Sequence, residues 1–330
     1  MSVSGSGPGG AQLRPDGYTS VLTERVPELG QLADVETRIL YNLDSSDIGP
    51  AQWSAIATLI AAERTRYDGF VIIHGTDTMA YTASALSFAL SGLDRPVILT
   101  GSQRPLDELR TDARRNLVDA VDLATRNIPE VGICFDGQLL RGNRATKGDA
   151  WSYATFASPA CTPLARLGLD VQIAEHVRRP VGEFRCLPDF LPTIAHYRIV
   201  PGLDPAGLLG MVDATGATGV VLAALGVGTA PALQRPIAPI VEKLTARGLI
   251  VLVVTQAWAG TVDLDRYANG AMLRRAGALS GGDLSVEAAT TKLMHAQALY
   301  PNNIAAQHNY LLRDVVGERH AAVADEEVTP

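Results

Sequence analysis

An apolar strand that ends in hydroxyls and a carboxylate restricts the fold of this sequence more than any other feature. Residues 70–73 (FVII) form an unbroken apolar run, which is typical of a parallel strand covered on both faces. His74-Gly75 interrupts the run, and Thr76-Asp77-Thr78 begins a segment with apolar residues at helical spacing. Ligands of open α/β sheets bind where strands end, and a helix N-terminus favours anions. The alternative is that one of these three residues only caps the helix.

Alternation of strands and helices continues along the chain in two blocks, which predicts two α/β domains built on parallel sheets. A proline-rich stretch at 180–192 breaks the periodicity, so we place the N-terminal domain at residues 1–185 and the C-terminal domain at 193–330. A short strand is predicted at 37–43, followed by a helix from Pro50. The predicted elements of the two blocks are strands 70–73, 96–100, 131–135, 193–200, 219–225 and 249–255, and helices 79–91, 112–127, 231–247, 266–277 and 285–300.

Charge and cysteine usage exclude several functional classes. The formal net charge is −7 and there is no basic run, which argues against a nucleic-acid or membrane partner. Three scattered cysteines without a CxxC motif indicate a reducing compartment rather than a disulfide framework. No apolar run is long enough to span a membrane, and the six histidines lack metal-ligand spacing, so no metal site is expected.

Several motifs together make the sequence similar to bacterial asparaginases, in particular the cytoplasmic, type I branch. The run HGTDTMAYTASALSF at 74–88 resembles a signature of that family. The other matching motifs are PDGY at 15–18, LDSSDI at 43–48, TGSQRPLDELRTD at 100–112, LLRGNRATK at 139–147, TQAWAG at 255–260 and GGDLSVEAATTKL at 281–293. The resemblance implies a larger, flavodoxin-like N-terminal domain, a smaller α/β C-terminal domain, no cofactor, and a cytoplasmic homo-oligomer, either dimer or tetramer.

The resemblance also implies a catalytic set. Amide hydrolysis by covalent catalysis needs a hydroxyl, a base for its proton, and donors for the oxyanion. Taken alone, Lys147 is interpreted as a solvated surface lysine. Matched to the family, Thr76, Asp77 and Lys147 form its Thr-Asp-Lys triad, with Lys147 as the base. Tyr18 matches a tyrosine on an N-terminal loop that contacts the nucleophile, although alone it reads as a loop-edge tyrosine.

Substrate-binding residues follow from the same resemblance. On composition alone, Asp44-Ser45-Ser46-Asp47 is a turn followed by a helix cap. The family implies that Ser45 holds the substrate's α-carboxylate, with Asp44 in the same loop and Gly75 and Thr76 at the facing helix N-terminus. Asp77 would pair with the α-ammonium. The implied reaction converts L-asparagine and water to L-aspartate and ammonia through a threonine acyl-enzyme.

Other activities stay open at this point. A related glutaminase or amidase, the asparaginase-like subunit of a tRNA-dependent amidotransferase, and a non-catalytic asparagine-binding homologue are the alternatives. The acidic charge argues against the tRNA role. One methylene in a pocket gives only about 10–200-fold discrimination, so sequence does not separate asparagine from glutamine.

The sequence departs from the family pattern at its N-terminus. The family begins with an apolar strand and a TGGTI-type motif whose first threonine is the usual nucleophile, and no such motif occurs here. Our hypothesis is that the chain lacks its true N-terminus, and we expect the 330-residue form to fold poorly or to be inactive. The nearby hydroxyls, Thr19 and Ser20, are poor substitutes.

Three positions of the C-terminal domain bear on assembly and control. Tyr267 resembles a tyrosine that type I enzymes contribute from a neighbouring subunit. Thr229 stands where an asparagine is usual, and Ala257 where a cysteine is usual, in stretches associated with a second, allosteric asparagine site. These two departures argue against carrying allosteric control over to this chain.

Overall fold

The computed structural model describes Leu22 and residues 24–320 of the chain. It divides into two compact α/β units between Pro188 and Asp189. Tyr18, Thr19 and Ser20, named above as site candidates, lie outside the described residues. No helix of the described chain is long and apolar enough to cross a membrane.

Within the described residues, the first unit contains ten strands and four α-helices with defined bounds, and Leu22, Glu24 and Arg25 are also helical. Its helices are α1 (Leu29–Leu32), α2 (Pro50–Glu63), α3 (Met79–Ala89) and α4 (Ala113–Ala124). Its strands are β1 (Phe70–Ile73), β2 (Leu90–Ser91), β3 (Val97–Thr100), β4 (Val131–Phe135), β5 (Gln138–Arg141), β6 (Thr146–Lys147), β7 (Phe156–Ala157), β8 (Ala165–Leu167), β9 (Val171–Ile173) and β10 (Arg185–Cys186).

The main sheet of this unit is parallel at one end and antiparallel at the other, in the order β1-β3-β4-β5-β8-β9. β1, β3 and β4 are parallel, with Ile72 opposite Leu99 and Leu99 opposite Ile133. After β4 the chain reverses at Asp136-Gly137, where both residues have positive φ, as a two-residue hairpin requires. The predicted parallel sheet is therefore correct for β1, β3 and β4, and the Asp-Gly turn converts the rest to antiparallel pairing.

The second unit is a parallel sheet covered by helices on both faces. Its four strands follow the order β11-β12-β13-β14, all parallel. One apolar cluster covers one face of β12 and β13 through Val220, Leu222 and Val253, and a second covers the other face through Val221 and Leu252. The remaining elements are β11 (Ile194–Arg198), β12 (Gly219–Ala224), β13 (Ile250–Thr255), β14 (Leu279–Ser280), α5 (Ala206–Thr215), α6 (Ala238–Ala246), α7 (Ala268–Arg275), α8 (Val286–Leu299) and α9 (Ile304–Leu312).

The segment 33–43 corrects one sequence prediction. A strand was predicted at 37–43, but these residues form neither strand nor helix. Side-chain exposure alternates from 33 to 40 as in a strand, yet none of the strands in the described part of the chain pairs with this segment. A strand is held by its ladder partner, so the apolar alternation alone does not produce one here.

In the part of the chain that the structure describes, β1 has an open edge beside this segment. Phe70 and His74 donate their N–H groups to Pro96 and Thr100, so the intervening Val71 and Ile73 face the other way. A cavity of about 1370 Å³ is lined by both β1 and segment 33–43. The large apolar side chains exposed along this cavity are Leu32, Leu40, Tyr41, Leu43 and Ile73. The strand is consequently only half-buried, whereas its neighbour β3 is fully buried.

We expect the open edge to be visible in amide hydrogen exchange. The amides of Val71 and Ile73 should exchange at least about tenfold faster than those of Ile98 and Leu99 in β3, because none of the described strands offers them a ladder acceptor. Exchange followed by NMR or by mass spectrometry of short peptides measures this. Equal protection of the two strands would mean that the outer edge of β1 is paired in solution.

Candidate active site

An ion pair joins the end of β1 to a lysine seventy residues away in the sequence. The Nζ atom of Lys147 lies 2.8 Å from Oγ1 of Thr76 and 2.6 Å from Oδ1 of Asp77. Thr76 and Asp77 occupy the turn between β1 and α3, and Lys147 ends β6. The structure thus brings the three residues of the predicted triad into direct contact. The Lys147 side chain is 20% exposed, which is little for a lysine.

Close backbone packing guides Lys147 to this position. Residues 142–144 form a 3-10 turn between β5 and β6. A Cβ on Gly142 would lie 3.0 Å from the side chain of Ala83 in α3, which is tighter than most real contacts, so a larger residue would push the turn away from this helix. The carbonyl of Gly142 also accepts a hydrogen bond from Ser84. The turn is therefore fixed to α3, whose N-terminus carries Thr76 and Asp77.

The alternative that Thr76, Asp77 or Thr78 only caps the helix with its side chain is wrong. α3 begins at Met79, and no side chain caps its N-terminus. Thr78 stands at the N-cap position, but its hydroxyl donates to the carbonyl of Ser45 at 2.6 Å. Thr78 thereby ties the helix start to the loop at 44–47, while the side chain of Asp77 remains 65% exposed.

The loop at 44–47 packs directly against Gly75. Ser45 is buried and begins a 3-10 turn, and a Cβ on Gly75 would lie 2.7 Å from Oγ of Ser45. Asp44 accepts hydrogen bonds from the backbone and side chain of Ser46, which lower the pKa of its carboxyl group. Asp44 therefore forms the turn that composition predicts, and Ser45 and Gly75 lie side by side at the end of β1.

Gln103 is a site residue that the sequence analysis did not single out. Its Oε1 lies 3.3 Å from Oγ1 of Thr76, and its Nε2 lies 3.1 Å and 3.2 Å from the carbonyls of Ala150 and Ser152. A cavity of about 220 Å³ at the ends of β1 and β3 is lined by Gly75, Gly101 and Gln103 among others. The available signal was position: Gln103 follows β3, the neighbour of β1, at the same edge of the sheet.

The buried ring of His74 is hydrogen-bonded to the turn between β1 and α3. Its Nδ1 donates to the carbonyl of Gly75 at 2.6 Å, and its Nε2 lies 2.9 Å from the hydroxyl of Thr82. Trp53 donates its indole N–H to the same hydroxyl at 3.0 Å. Burial lowers the pKa of His74, so the neutral ring is favoured in the folded protein.

One further candidate, Tyr267, belongs to the second unit. Tyr267 stands at the N-cap position of α7 with 57% of its surface exposed. Among the described residues, no group of three or more His, Cys, Asp or Glu side chains could hold a metal ion.

Comparison with family models and known proteins places this arrangement in a family. A model of the N-terminal domain of asparaginase matches residues 4–179, and a model of the glutaminase/asparaginase C-terminal domain matches residues 193–309. The chain belongs to the asparaginase family. This confirms the family that the motifs predicted.

Individual asparaginase-family proteins support the same assignment. The chain is 41% identical to L-asparaginase 1 of Escherichia coli K12 over 254 residues, which are 76% of this chain and 75% of that protein. The structure of the L-asparaginase from Thermococcus kodakarensis has a TM-score of 0.86 at 34% identity and covers 95% of this chain and 94% of its own, which confirms the α/β fold class. A mouse 60 kDa lysophospholipase is 37% identical to this chain. The match covers 89% of this chain and 53% of that protein.

Replacement of Gly75 by alanine tests the contact with Ser45. The added Cβ would meet a buried side chain at 2.7 Å, so we expect Gly75→Ala to lower the free energy of unfolding by about 1–3 kcal/mol. Chemical denaturation measures this. Gly30→Ala is the matched control, because nothing lies within 4 Å of its Cβ, and it should be neutral or stabilising. Equal behaviour of the two variants would refute the close packing.

The buried His74 makes stability depend on pH. As pH falls below 6.5, the unfolded chain binds a proton on this ring before the folded chain does, so the free energy of unfolding falls. We expect His74→Gln to show a flatter loss of stability below pH 6.5 than the unsubstituted protein. The measurement is chemical denaturation at several pH values, with the exposed His176→Gln as control. An unchanged slope in His74→Gln would contradict the neutral, buried ring.

Proposed function

We propose that the protein hydrolyses the side-chain amide of L-asparagine to L-aspartate and ammonia. The observation that carries the proposal is the contact of Lys147 with both Thr76 and Asp77 at the carboxyl end of β1. A hydroxyl, an amine and a carboxylate in one cluster are the groups that activate a nucleophile for acyl transfer. Membership of the asparaginase family supports the same chemistry.

The proposed reaction proceeds through an acyl-enzyme. The attacking group is a threonine hydroxyl, which in the family belongs to the TGGTI-type motif. It attacks the amide carbon, and Lys147, once neutral, accepts its proton. The proton passes to the leaving nitrogen, the C–N bond breaks, and ammonia departs from an aspartyl ester. Water then cleaves the ester. Thr76 supports the attacking group or attacks as the second nucleophile, and Asp77 orients Lys147.

Substrate recognition in this proposal uses groups on both sides of Gly75. Ser45 and the backbone at Gly75 and Thr76 receive the α-carboxylate, just ahead of the N-terminus of α3, and a helix N-terminus favours an anion. The exposed carboxylate of Asp77 pairs with the α-ammonium, and Asp44 keeps the loop of Ser45 in its turn. Tyr18 would close over the bound substrate from the N-terminal side. We further propose a cytoplasmic homo-oligomer, for which the sparse cysteines and the family resemblance are the support.

A second candidate is a non-catalytic homologue that binds asparagine. It is favoured by the buried Ser45 beside Gly75 and the exposed carboxylate of Asp77, which are groups that can bind a zwitterionic amino acid whether or not a reaction follows. A glutaminase remains the alternative within the enzymes. Calorimetry with each amino acid, alongside an ammonia assay, separates the three possibilities: binding without ammonia release indicates the binding protein, and the relative rates identify the preferred amide.

Substitution of the clustered residues tests the catalytic proposal. We expect Lys147→Met and Thr76→Val each to lower kcat for ammonia release from L-asparagine by at least about 100-fold, because each removes a proton-transfer partner. Lys243→Met, at an exposed lysine of α6, should keep full activity. Far-ultraviolet circular dichroism shows whether each variant is folded. Full activity in folded Lys147→Met would refute the proposed base.

A further inference from the structure

The side-chain amide of Gln103 is fixed in one orientation by its surroundings. Its Nε2 faces two backbone carbonyls, those of Ala150 and Ser152, at 3.1 Å and 3.2 Å, and the hydroxyl of Thr155 at 3.4 Å. Carbonyl oxygens only accept hydrogen bonds, so the amide must present its NH₂ group to them. Its oxygen is then the atom that faces Thr76, at 3.3 Å.

This orientation fixes the direction of the hydrogen bond at Thr76. An amide oxygen has no proton to give, so the hydroxyl of Thr76 must donate to Gln103. The same hydroxyl oxygen is then an acceptor toward Lys147, whose ammonium donates to it at 2.8 Å and to Asp77 at 2.6 Å. Lys147 thus donates a hydrogen bond to Thr76, and Thr76 in turn donates one to Gln103.

The backbone of Gln103 is also held firmly. Asp112, just before α4, accepts the N–H groups of Gln103 and Arg104 at 3.0–3.1 Å. The almost fully buried Asn116 donates to Asp112 at 3.1 Å and to the carbonyl of Gly101 at 2.9 Å. The amide therefore projects from a rigid turn, which is what a group that positions another side chain requires.

We propose that Gln103 is a positioning residue that holds the Thr76 hydroxyl as a hydrogen-bond acceptor toward Lys147. In this state Thr76 stabilises the charged amine and does not offer it a proton. Before the Thr76 hydroxyl can give its proton to Lys147, it must break its hydrogen bond to Gln103. The Gln103 amide therefore holds the hydroxyl in its resting orientation. Gln103 also connects Thr76 to residues 148–155, the loop that directly follows Lys147. Only the catalytic consequence rests on the proposed function; the hydrogen-bond direction does not.

Amine labelling tests the effect of Gln103 on Lys147 independently of catalysis. The sequence contains three lysines, of which Lys292 is fully buried and Lys243 is exposed, so Lys243 is an internal standard for Lys147. Acetic anhydride acylates only uncharged amines. Gln103→Met removes both the acceptor and the donors, and we expect it to raise the rate of acylation of Lys147 relative to Lys243 about three- to tenfold. Peptide mass spectrometry at several short times measures the two rates.

Gln103→Glu separates the acceptor from the loop contacts. A carboxylate keeps an acceptor for Thr76 but loses the donors to Ala150 and Ser152. The proposal predicts that Gln103→Glu leaves the labelling ratio at or below that of the unsubstituted protein. Equal increases in both variants would show that Gln103 only holds the loop, and no increase in either would show that it does not act on Lys147; both results overturn the proposal. Gln172→Met, at an exposed glutamine of β9, is the matched control and should leave the ratio unchanged.

The ammonia assay, run on the same proteins, keeps the two proposals distinct. A lack of ammonia release together with the predicted labelling pattern would reject the amidase and leave the positioning role intact. Normal ammonia release together with unchanged labelling in Gln103→Met would reject the positioning role alone.

Discussion

Parallel pairing of β1 with β3 is the interaction on which the candidate site depends. It sets the carboxyl ends of both strands at one edge, so that Thr76 and Gln103 lie within hydrogen-bond distance although 27 residues separate them. The Asp136-Gly137 hairpin then reverses the chain, and the turn at 142–144 leads it past α3 to Lys147. Each contact of the Lys147 amine follows from this path of the backbone.

Within the described residues, the same strand lies at one edge of its sheet. β1 has an apolar sequence suited to burial on both faces, yet no strand of the described residues pairs with its outer edge, which faces a large cavity. A buried backbone group without a partner costs about 1–3 kcal/mol, and a domain of this kind is stable by only about 5–15 kcal/mol. The open edge and the site are adjacent, because Ile73 ends the strand and Gly75 contacts Ser45. Loosening of this edge would therefore reach the contact of Gly75 with Ser45 first.

Sequence reasoning predicted the elements with strong local signals. The apolar run at 70–73 and the proline at position 50 mark a strand and a helix that the structure contains, and the motif match identified the family. It predicted a strand at 37–43, but no strand of the described residues pairs with this segment, and pairing is a tertiary property that the local sequence does not reveal. It also missed Gln103, whose role depends on two carbonyls near residue 151 that no local pattern reveals. The helix predicted from 231 begins only at Ala238, after a proline-containing stretch.

Partitioning of the reaction between water and hydroxylamine tests the central claim, an acyl-enzyme formed at the Lys147 cluster. The ratio of aspartate β-hydroxamate to aspartate is measured with L-asparagine and with the β-methyl ester of L-aspartate as substrates. A common aspartyl-enzyme predicts the same ratio from both substrates, and a loss of both products in Lys147→Met. Different ratios from the two substrates, or undiminished product formation in Lys147→Met, would contradict the account.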